Sequence, residues 1–334
     1  MVVVLRASRL PLGTYPTPVE LGPMGISIKR DDLTSDLYGG NKVRKLELLL
    51  AAAREAGKTR LLTVGAVGSH QVVACAVYGA REGFRVDAVL VPQPASPHAE
   101  LNLRVALAHG LRATSCPAWS LAPPYVAARW GGDAYFVPLG GSNALGSLGF
   151  IDAAEELAAQ VRAGQLPEPE VAVVALGSGG TAAGLAVGFE QAGLRTRVLG
   201  VAVAPPTAVV RHLARRLAQK TAALAGLSVA VGVRAAKRID VEGQWMGRGY
   251  GHPTESGVAA TEVARHVGLT LDPTYTAKAF AAALSRAREG KPGDVLYWHT
   301  LSTAPLERLL RMRATSGEAA NEPLPRGLAT LLRH

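Results

Sequence analysis

The stretch EVAVVALGSGGTAAGLAVGFEQAGLRTRVLGVAV, residues 170–203, decides the architecture. It opens on EVAVVALG, a short apolar run rich in Val, as a buried strand requires. GTAAGLAVGFEQAG has helical composition and stops at Gly193. RVLGVAV reads as a second strand. Strand, helix and strand in this order predict a parallel pair in a sheet covered by helices. The segment from Val171 to Phe189 carries no charge and approaches the length of a membrane span. GSGGT interrupts it, so it reads as buried strand, turn and helix.

The turn itself points to a ligand. A strand running through Gly177, Ser178, Gly179, Gly180 and Thr181 into a helix aims backbone N–H groups, and the partial positive charge of the helix start, at an anion. Gly177, Gly179 and Ala182 also satisfy a loose G-x-G-x-x-A. A dinucleotide site wants an acid at the end of the next strand, and that strand ends VAVAPP. The turn therefore predicts a site for a single phosphate group. The alternative is a tight strand-to-helix turn without a ligand.

The same alternation recurs outward. RLLTV reads as a strand, HQVVACAVYGAREG as a helix stopped by Gly83, RVDAVLV as a strand, AELNLRVALAHG as a helix stopped by Gly110, and AYFVPLGG as a strand. SLGFIDAAEELAAQVRAG is a helix. Later come helices near 257–267 and 276–289, the strand DVLYWHT, and a helix from about 303 to 313. The expected fold is α/β, two domains each with a mainly parallel twisted sheet flanked by helices. A smaller unit spans 46–150, and a larger one joins 1–45 to 151–312. RAGQLPEPE is an exposed connection. A tail follows over 313–334, and its stretch TSGEAANEPLPRG is expected to be loosely ordered.

Composition agrees with an α/β enzyme. The 334 residues suffice for two domains. The net charge is +10, with only eight lysines among 36 basic residues. No dense basic run interleaves with aromatics, so no nucleic-acid partner is expected. Cys75 and Cys116 have neither disulfide nor metal spacing and fit a reducing compartment. MVVVLRASRL is too short an apolar run for a signal peptide. The expectation is a soluble cytoplasmic protein with no metal and no membrane partner.

Several further segments carry candidate chemistry. In GGNKVRKLE, residues 39–47, Lys42 and Lys45 fall in the first turn of a helix. Cations there oppose the helix dipole, so something anionic or covalent should compensate. A partly desolvated lysine at that place also has the lowered pKa of an imine-forming amine. The alternative is two solvated surface lysines. GAVGSHQ, residues 65–71, puts Ser69, His70 and Gln71 at a helix start. Ser69 is either an N-cap or a cleft residue at the end of a strand. LDPTYTAKAF presents Tyr275 and Thr276, VLYWHTLST presents His299 and Thr300, and PLGGSNALGSLG presents Ser142 and Asn143.

Together KRDDLTSDLYGGNKVRKLE, GAVGSHQ, PLGGSNALGSLGF, ALGSGGTAAGL, LDPTYTAKA and VLYWHT resemble the D-cysteine desulfhydrase and 1-aminocyclopropane-1-carboxylate deaminase group. These are pyridoxal-phosphate enzymes of the tryptophan synthase β-like fold, fold type II. The resemblance runs in order from about Arg9 to Pro305. It implies pyridoxal 5'-phosphate joined to Lys42, fixed by Asn41, with Lys45 and Gly177 to Thr181 at its phosphate and Gly39 and Gly40 allowing close approach. It implies Ser69 and Tyr275 beside Lys42 as catalytic residues, with Gln71, Tyr250, Tyr275 and Leu301 toward the substrate. His70, Thr276 and Thr300 fall on positions that face the cofactor.

Three positions depart from, or choose within, the family pattern. His70 stands where Asn is usual. Leu301 and Ser302 stand where Gly-Gly is common. Thr276 replaces the Glu of the deaminases, as in desulfhydrase-type members. A hydroxyl stabilises a protonated pyridine less than a carboxylate does, which suits elimination of a good leaving group. The resemblance thus implies a lyase performing α,β-elimination on a small amino acid, D-cysteine first, giving pyruvate, ammonia and hydrogen sulfide. The alternatives are a 1-aminocyclopropane-1-carboxylate deaminase, or a specialised lyase or β-replacement enzyme such as a sulfo-lyase. A catalytically silent binding protein is a further class, against which Lys42 argues. Family members are commonly homodimers.

Overall fold

The computed structural model describes residues 7–313 and 323–333. Twelve strands follow in chain order: β1 (Val19–Leu21), β2 (Ser27–Arg30), β3 (Arg60–Ala66), β4 (Arg85–Val91), β5 (Gln93–Pro94), β6 (Arg112–Ser115), β7 (Ala134–Val137), β8 (Val171–Leu176), β9 (Arg197–Ala202), β10 (Ile239–Glu242), β11 (Val295–His299) and β12 (Leu332–Arg333). They build a six-stranded sheet, β1-β2-β11-β8-β9-β10, a four-stranded sheet, β6-β4-β3-β7, and a two-stranded one, β12-β5. Every pairing is parallel except β1 with β2.

Both sheets are buried on two faces, which is why their strands read as continuous apolar runs. Along β8, Ala172, Val174 and Leu176 pack with Phe150 and Phe189 on one side, while Val173 packs with Phe280 on the other. Along β4, Val86, Ala88 and Leu90 face one cluster, and Val89 and Val91 the other.

Strand order places the ligand-binding crevices. From β8 the chain winds to β9 and β10 on one side, while β11 joins on the other. From β3 it winds to β4 and β6, while β7 joins opposite. Open parallel sheets bind ligands beyond the carboxyl ends of strands at such reversals. The loops after β8, β11 and β3 are the glycine turn, the Thr300–Ser302 segment and the Ser69 loop.

A buried ion network fixes the helix Lys42–Glu55 to the larger sheet. Arg44 reaches both oxygens of Asp31, at 2.9 and 2.7 Å, and Glu156 at 3.1 Å. Lys29, wholly buried on β2, pairs with Glu156 and donates to Thr17 O at 2.6 Å and Gln160 Oε1 at 2.7 Å.

Element boundaries differ modestly from expectation. The helix expected from about 303 begins at Leu306, and the strand through Gly141 ends at Val137, with a single turn over Leu139–Gly141. The tail differs more. Residues 314–322 lie outside the described residues. Beyond them, Arg326–Ala329 is helical and β12 pairs in parallel with β5. Leu328 and Leu331 supply the reason, since both bury themselves in the core under the smaller sheet.

Candidate active site

The two lysines are neither solvated nor paired with acids. Lys42 is the first residue of its helix, half-buried, and donates to Asn41 Oδ1 at 2.7 Å. Asn41 Nδ2 in turn donates to Thr181 Oγ1 at 3.1 Å. Burial pushes the Lys42 ammonium down to about 8, with the Asp272 charge opposing only in part. Lys45, 2% exposed, donates to Gly140 O and Ser142 Oγ, both at 3.1 Å. Burial first, and the Lys42 charge second, hold it well below the usual lysine range. Among the described residues no ion pair involves either lysine.

Backbone geometry explains the glycines before Lys42. Gly40 has φ +90°, and an added Cβ would lie 2.7 Å from Thr300 O. This approach brings the loop after β11 against the turn, where Asn41 N donates to Thr300 O at 3.2 Å.

The glycine turn is the second wall. Gly179 takes φ +86° and starts the helix Gly180–Ala192. Gly180 N donates to Ser142 Oγ at 3.1 Å, and Ser142 Oγ meets Ser178 Oγ at 2.7 Å. A Cβ on Gly180 would lie 2.5 Å from Ser142 Oγ and 3.0 Å from Lys45 Nζ. A buried cation, two hydroxyls and a helix start thus converge at one point.

Ser69 occupies the N-cap position of the helix His70–Arg81 in extended backbone, yet its side chain makes no capping bond. It lines the cavity instead. Gln71 donates from Nε2 to Cys75 Sγ at 3.1 Å, while its buried Oε1 has no partner. His70 has both ring nitrogens engaged: Nδ1 with Tyr38 Oη at 2.8 Å and Nε2 with His98 Nε2 at 3.1 Å. Burial lowers its pKa to about 3, so the ring is neutral.

Tyr275 Oη donates to Tyr250 Oη at 2.9 Å, with the rings edge to face at 5.6 Å. Burial pushes Tyr250 up to about 12 and Tyr275 well above its ordinary value. Thr276 Oγ1 donates to Asp272 Oδ2 at 2.7 Å. Asp272 also accepts from the backbone N–H of Thr274, Tyr275 and Thr276. Burial alone would raise this carboxyl. The nearby His70 ring, the Thr276 hydroxyl and the backbone N–H groups outweigh it and hold the carboxyl below its usual value.

One cavity of about 440 Å³ collects these groups. Asn41, Lys42, Lys45, Ser69, His70, Gln71, Gly177 through Thr181, Tyr250, Tyr275, Thr276, Thr300 and Leu301 all line it. Three residues expected to face the cleft do not line it, the first being Ser142, whose hydroxyl stands behind Lys45 and Ser178. His299 is wholly buried, its Nδ1 3.3 Å from Tyr297 Oη. Asn143 caps the helix Ala144–Arg162 by accepting from Gly146 N at 2.8 Å. Three residues escaped the sequence reading: Tyr38 and Asp272 on the wall and His98 behind it. Asp-Pro before a helix was the available signal for Asp272. Tyr38 and His98 gave none.

Comparison with known proteins agrees. The family model described as pyridoxal-phosphate dependent enzyme matches residues 10–300. D-cysteine desulfhydrases of two Klebsiella pneumoniae strains are 35% identical over 319 and 323 residues, covering 88% of this chain and 94% of theirs. A crystal structure of an ACC deaminase homologue superimposes with TM-score 0.78 at 30% identity, over 92% of this chain and 97% of that one. The processed form of threonine deaminase isoform 2 from Solanum lycopersicum shares the fold alone, with TM-score 0.60 at 16% identity over 94% and 92%. The chain belongs to the pyridoxal-phosphate dependent enzymes, in their fold type II.

Proposed function

We propose that the chain catalyses α,β-elimination on a small amino acid, D-cysteine foremost, releasing pyruvate, ammonia and hydrogen sulfide. The observation that carries this reading is the Lys42 amine, held by Asn41 without an acid and softened to about 8. It shares a cavity with a buried, acid-free Lys45 at a glycine turn. The identity with D-cysteine desulfhydrases supports the choice of substrate.

The residues fit pyridoxal phosphate. The buried Lys45 amine has only neutral oxygens around it, and it lines the cavity together with Gly177 through Thr181 at a helix start. Gly177 through Thr181 and Lys45 would hold the phosphate, Lys42 the aldehyde carbon, Asn41 and Thr300 the ring edge, and Thr276 the ring nitrogen. When bound, the group supplies a sink for the electron pair left at Cα.

The chain's own groups do the rest. Ser69, free of capping duty at a helix start, and Gln71 bind the substrate carboxylate. Lys42 Nζ, readily neutral, takes the Cα proton. Tyr250, kept as a phenol and accepting from Tyr275, borders the substrate with its own hydroxyl hydrogen free to donate. Leu301, 5% exposed, closes one side against water. Assay of D-cysteine, L-cysteine and 1-aminocyclopropane-1-carboxylate, reading pyruvate, sulfide and 2-oxobutyrate, tests the assignment. D-cysteine should release pyruvate and sulfide; turnover of none of the three would overturn it.

A second reading is a specialised lyase or β-replacement enzyme on an unusual amino acid. Leu301 and Ser302 in the cavity wall favour it. Opening of a cyclopropane is less well served, because Thr276 offers the ring nitrogen no carboxylate. We further propose a cytoplasmic homodimer with folding units 46–150 and 1–45 plus 151–312. Support comes from two free, buried cysteines and from exposed Val209, Leu213 and Val229. Among the described residues no helix is long and apolar enough to cross a membrane.

A further inference from the structure

We propose that His98, His70 and Tyr38 form a proton relay from the protein surface to the cavity, and that Tyr38 delivers the proton to the departing atom of the substrate. The inference rests on the elimination reading of the same cavity. Elimination makes two demands on protons. Lys42 removes one from Cα, and the leaving atom, departing with its bond pair, must gain one. A separate donor spares Lys42 from carrying the Cα proton on to the leaving atom.

The geometry supplies a separate route. His98, second residue of the helix Pro97–Ala108, is half-exposed and lies outside the cavity wall. Its Nε2 is 3.1 Å from His70 Nε2, with ring centroids 4.9 Å apart. Two imidazole nitrogens at that distance share one proton. On the far side of His70, Nδ1 is 2.8 Å from Tyr38 Oη. Tyr38 and His70 both line the cavity. Three groups that each donate and accept therefore stand in series between solvent and substrate.

The transfer balances without an external reagent. In the loaded state His98 carries its proton on Nε2, His70 on Nδ1, and Tyr38 points its hydroxyl into the cavity. Solvent protonates His98 Nδ1. The Nε2 proton of His98 passes to His70 Nε2, the Nδ1 proton of His70 passes to Tyr38 Oη, and the former Tyr38 proton goes to the leaving atom. That atom has taken the electron pair of its bond to Cβ, while the pair from the Cα–H bond closes the Cα–Cβ double bond. All three relay groups end neutral, with both tautomers exchanged.

The surroundings favour a neutral relay. Burial above all, then His98 and Lys42, oppose a charge on His70, and together they outweigh Asp272, which favours it. Burial also holds the Tyr38 phenol far above its ordinary value, with Asp272 and Tyr78 adding to the effect. Tyr38 touches substrate in this scheme and is catalytic; His70 and His98 act through it.

The test uses the holoenzyme and His98→Gln, which keeps a hydrogen-bonding side chain but cannot pass a proton between two nitrogens. Turnover of D-cysteine should fall about tenfold to a hundredfold, as for removal of part of a general-acid path. KM and the absorption of the bound cofactor should not change, and added imidazole should restore the rate. Unchanged turnover, with an unchanged solvent deuterium effect, would overturn the relay. A second readout needs no turnover: nitrogen NMR of histidine-labelled protein. Tyr38→Phe should alter the tautomer balance of His98, two links away. A His98 ring indifferent to that substitution would overturn the relay, even in a protein that leaves D-cysteine untouched. Absence of sulfide from the parent enzyme would count against the elimination reading alone.

Discussion

Asn41 joins the turn that carries Lys42 to the helix that begins the glycine turn, through a 3.1 Å hydrogen bond from its Nδ2 to Thr181 Oγ1. Its Oδ1 accepts from Lys42 Nζ at 2.7 Å. One side chain therefore orients the reactive amine and couples it to the anion cradle. Asn41→Ala should weaken cofactor binding about tenfold, the equivalent of one hydrogen bond of about 1.4 kcal/mol. Titration of the apoprotein by absorbance would check this.

Lys42 should react as a soft amine. Its ammonium is lowered to about 8, and only the neutral amine attacks a carbonyl. Cofactor uptake by the apoprotein should rise about tenfold per pH unit below that midpoint and level off above it. A midpoint near the ordinary lysine value would refute the assignment. Lys42→Ala should abolish the visible band of the bound cofactor and cut turnover by about 100-fold to 10,000-fold or more.

Gly40 cannot accept a side chain. Gly40→Ala meets Thr300 O at 2.7 Å and forces a non-glycine residue to φ +90°. The backbone strain alone is of order 1–3 kcal/mol. Loss of cofactor binding and a lowered melting temperature are expected, read by absorbance and calorimetry.

Glu156 holds two buried cations. Glu156→Ala leaves Lys29 without its ion pair and Arg44 with Asp31 alone. Breaking such a buried network costs about 3–5 kcal/mol, measurable by urea denaturation of the apoprotein. The helix bearing Lys42 should loosen with it, so cofactor affinity should fall as well.

Asp272 should impose an acid limit on stability. Its folded-state carboxyl lies below the ordinary aspartate value, so the folded protein binds its proton less readily than the unfolded chain. The resulting stabilisation is complete above that value and is lost as the pH falls through the folded pKa. Asp272→Ala should cost about 1–3 kcal/mol by orphaning three backbone N–H groups and the Thr276 hydroxyl. It should also flatten the acid limb of a stability profile measured by denaturation.

Legibility in the sequence followed locality. The 170–203 unit was readable because strand period, glycine turn and helix stop are contiguous signals. Lys42 stood out for an equally local reason, a cation where a helix start disfavours one. Tyr38, His98 and Asp272 lie on three separate segments, and only the folding of both sheets brings them to His70. The antiparallel β1, the helices Thr207–Leu224 and Val229–Lys237, and the strand β6 were also missed. β1 and β6 are edge strands whose residues are mostly half-exposed or exposed, so they lack the apolar run of β8. The docked tail was hidden behind its own polarity, because two leucines in a Pro- and Gly-rich stretch are too sparse to show a period.

That docking also governs how the protein can be handled. Gln93 pairs with Leu332 and donates its N–H to Leu331 O at 3.0 Å, while its side-chain Oε1 accepts from Gly68 N at 3.0 Å. Gly68 immediately precedes Ser69. A chain shortened after residue 313 would keep every cavity residue and still lose the buttress behind the Ser69 loop.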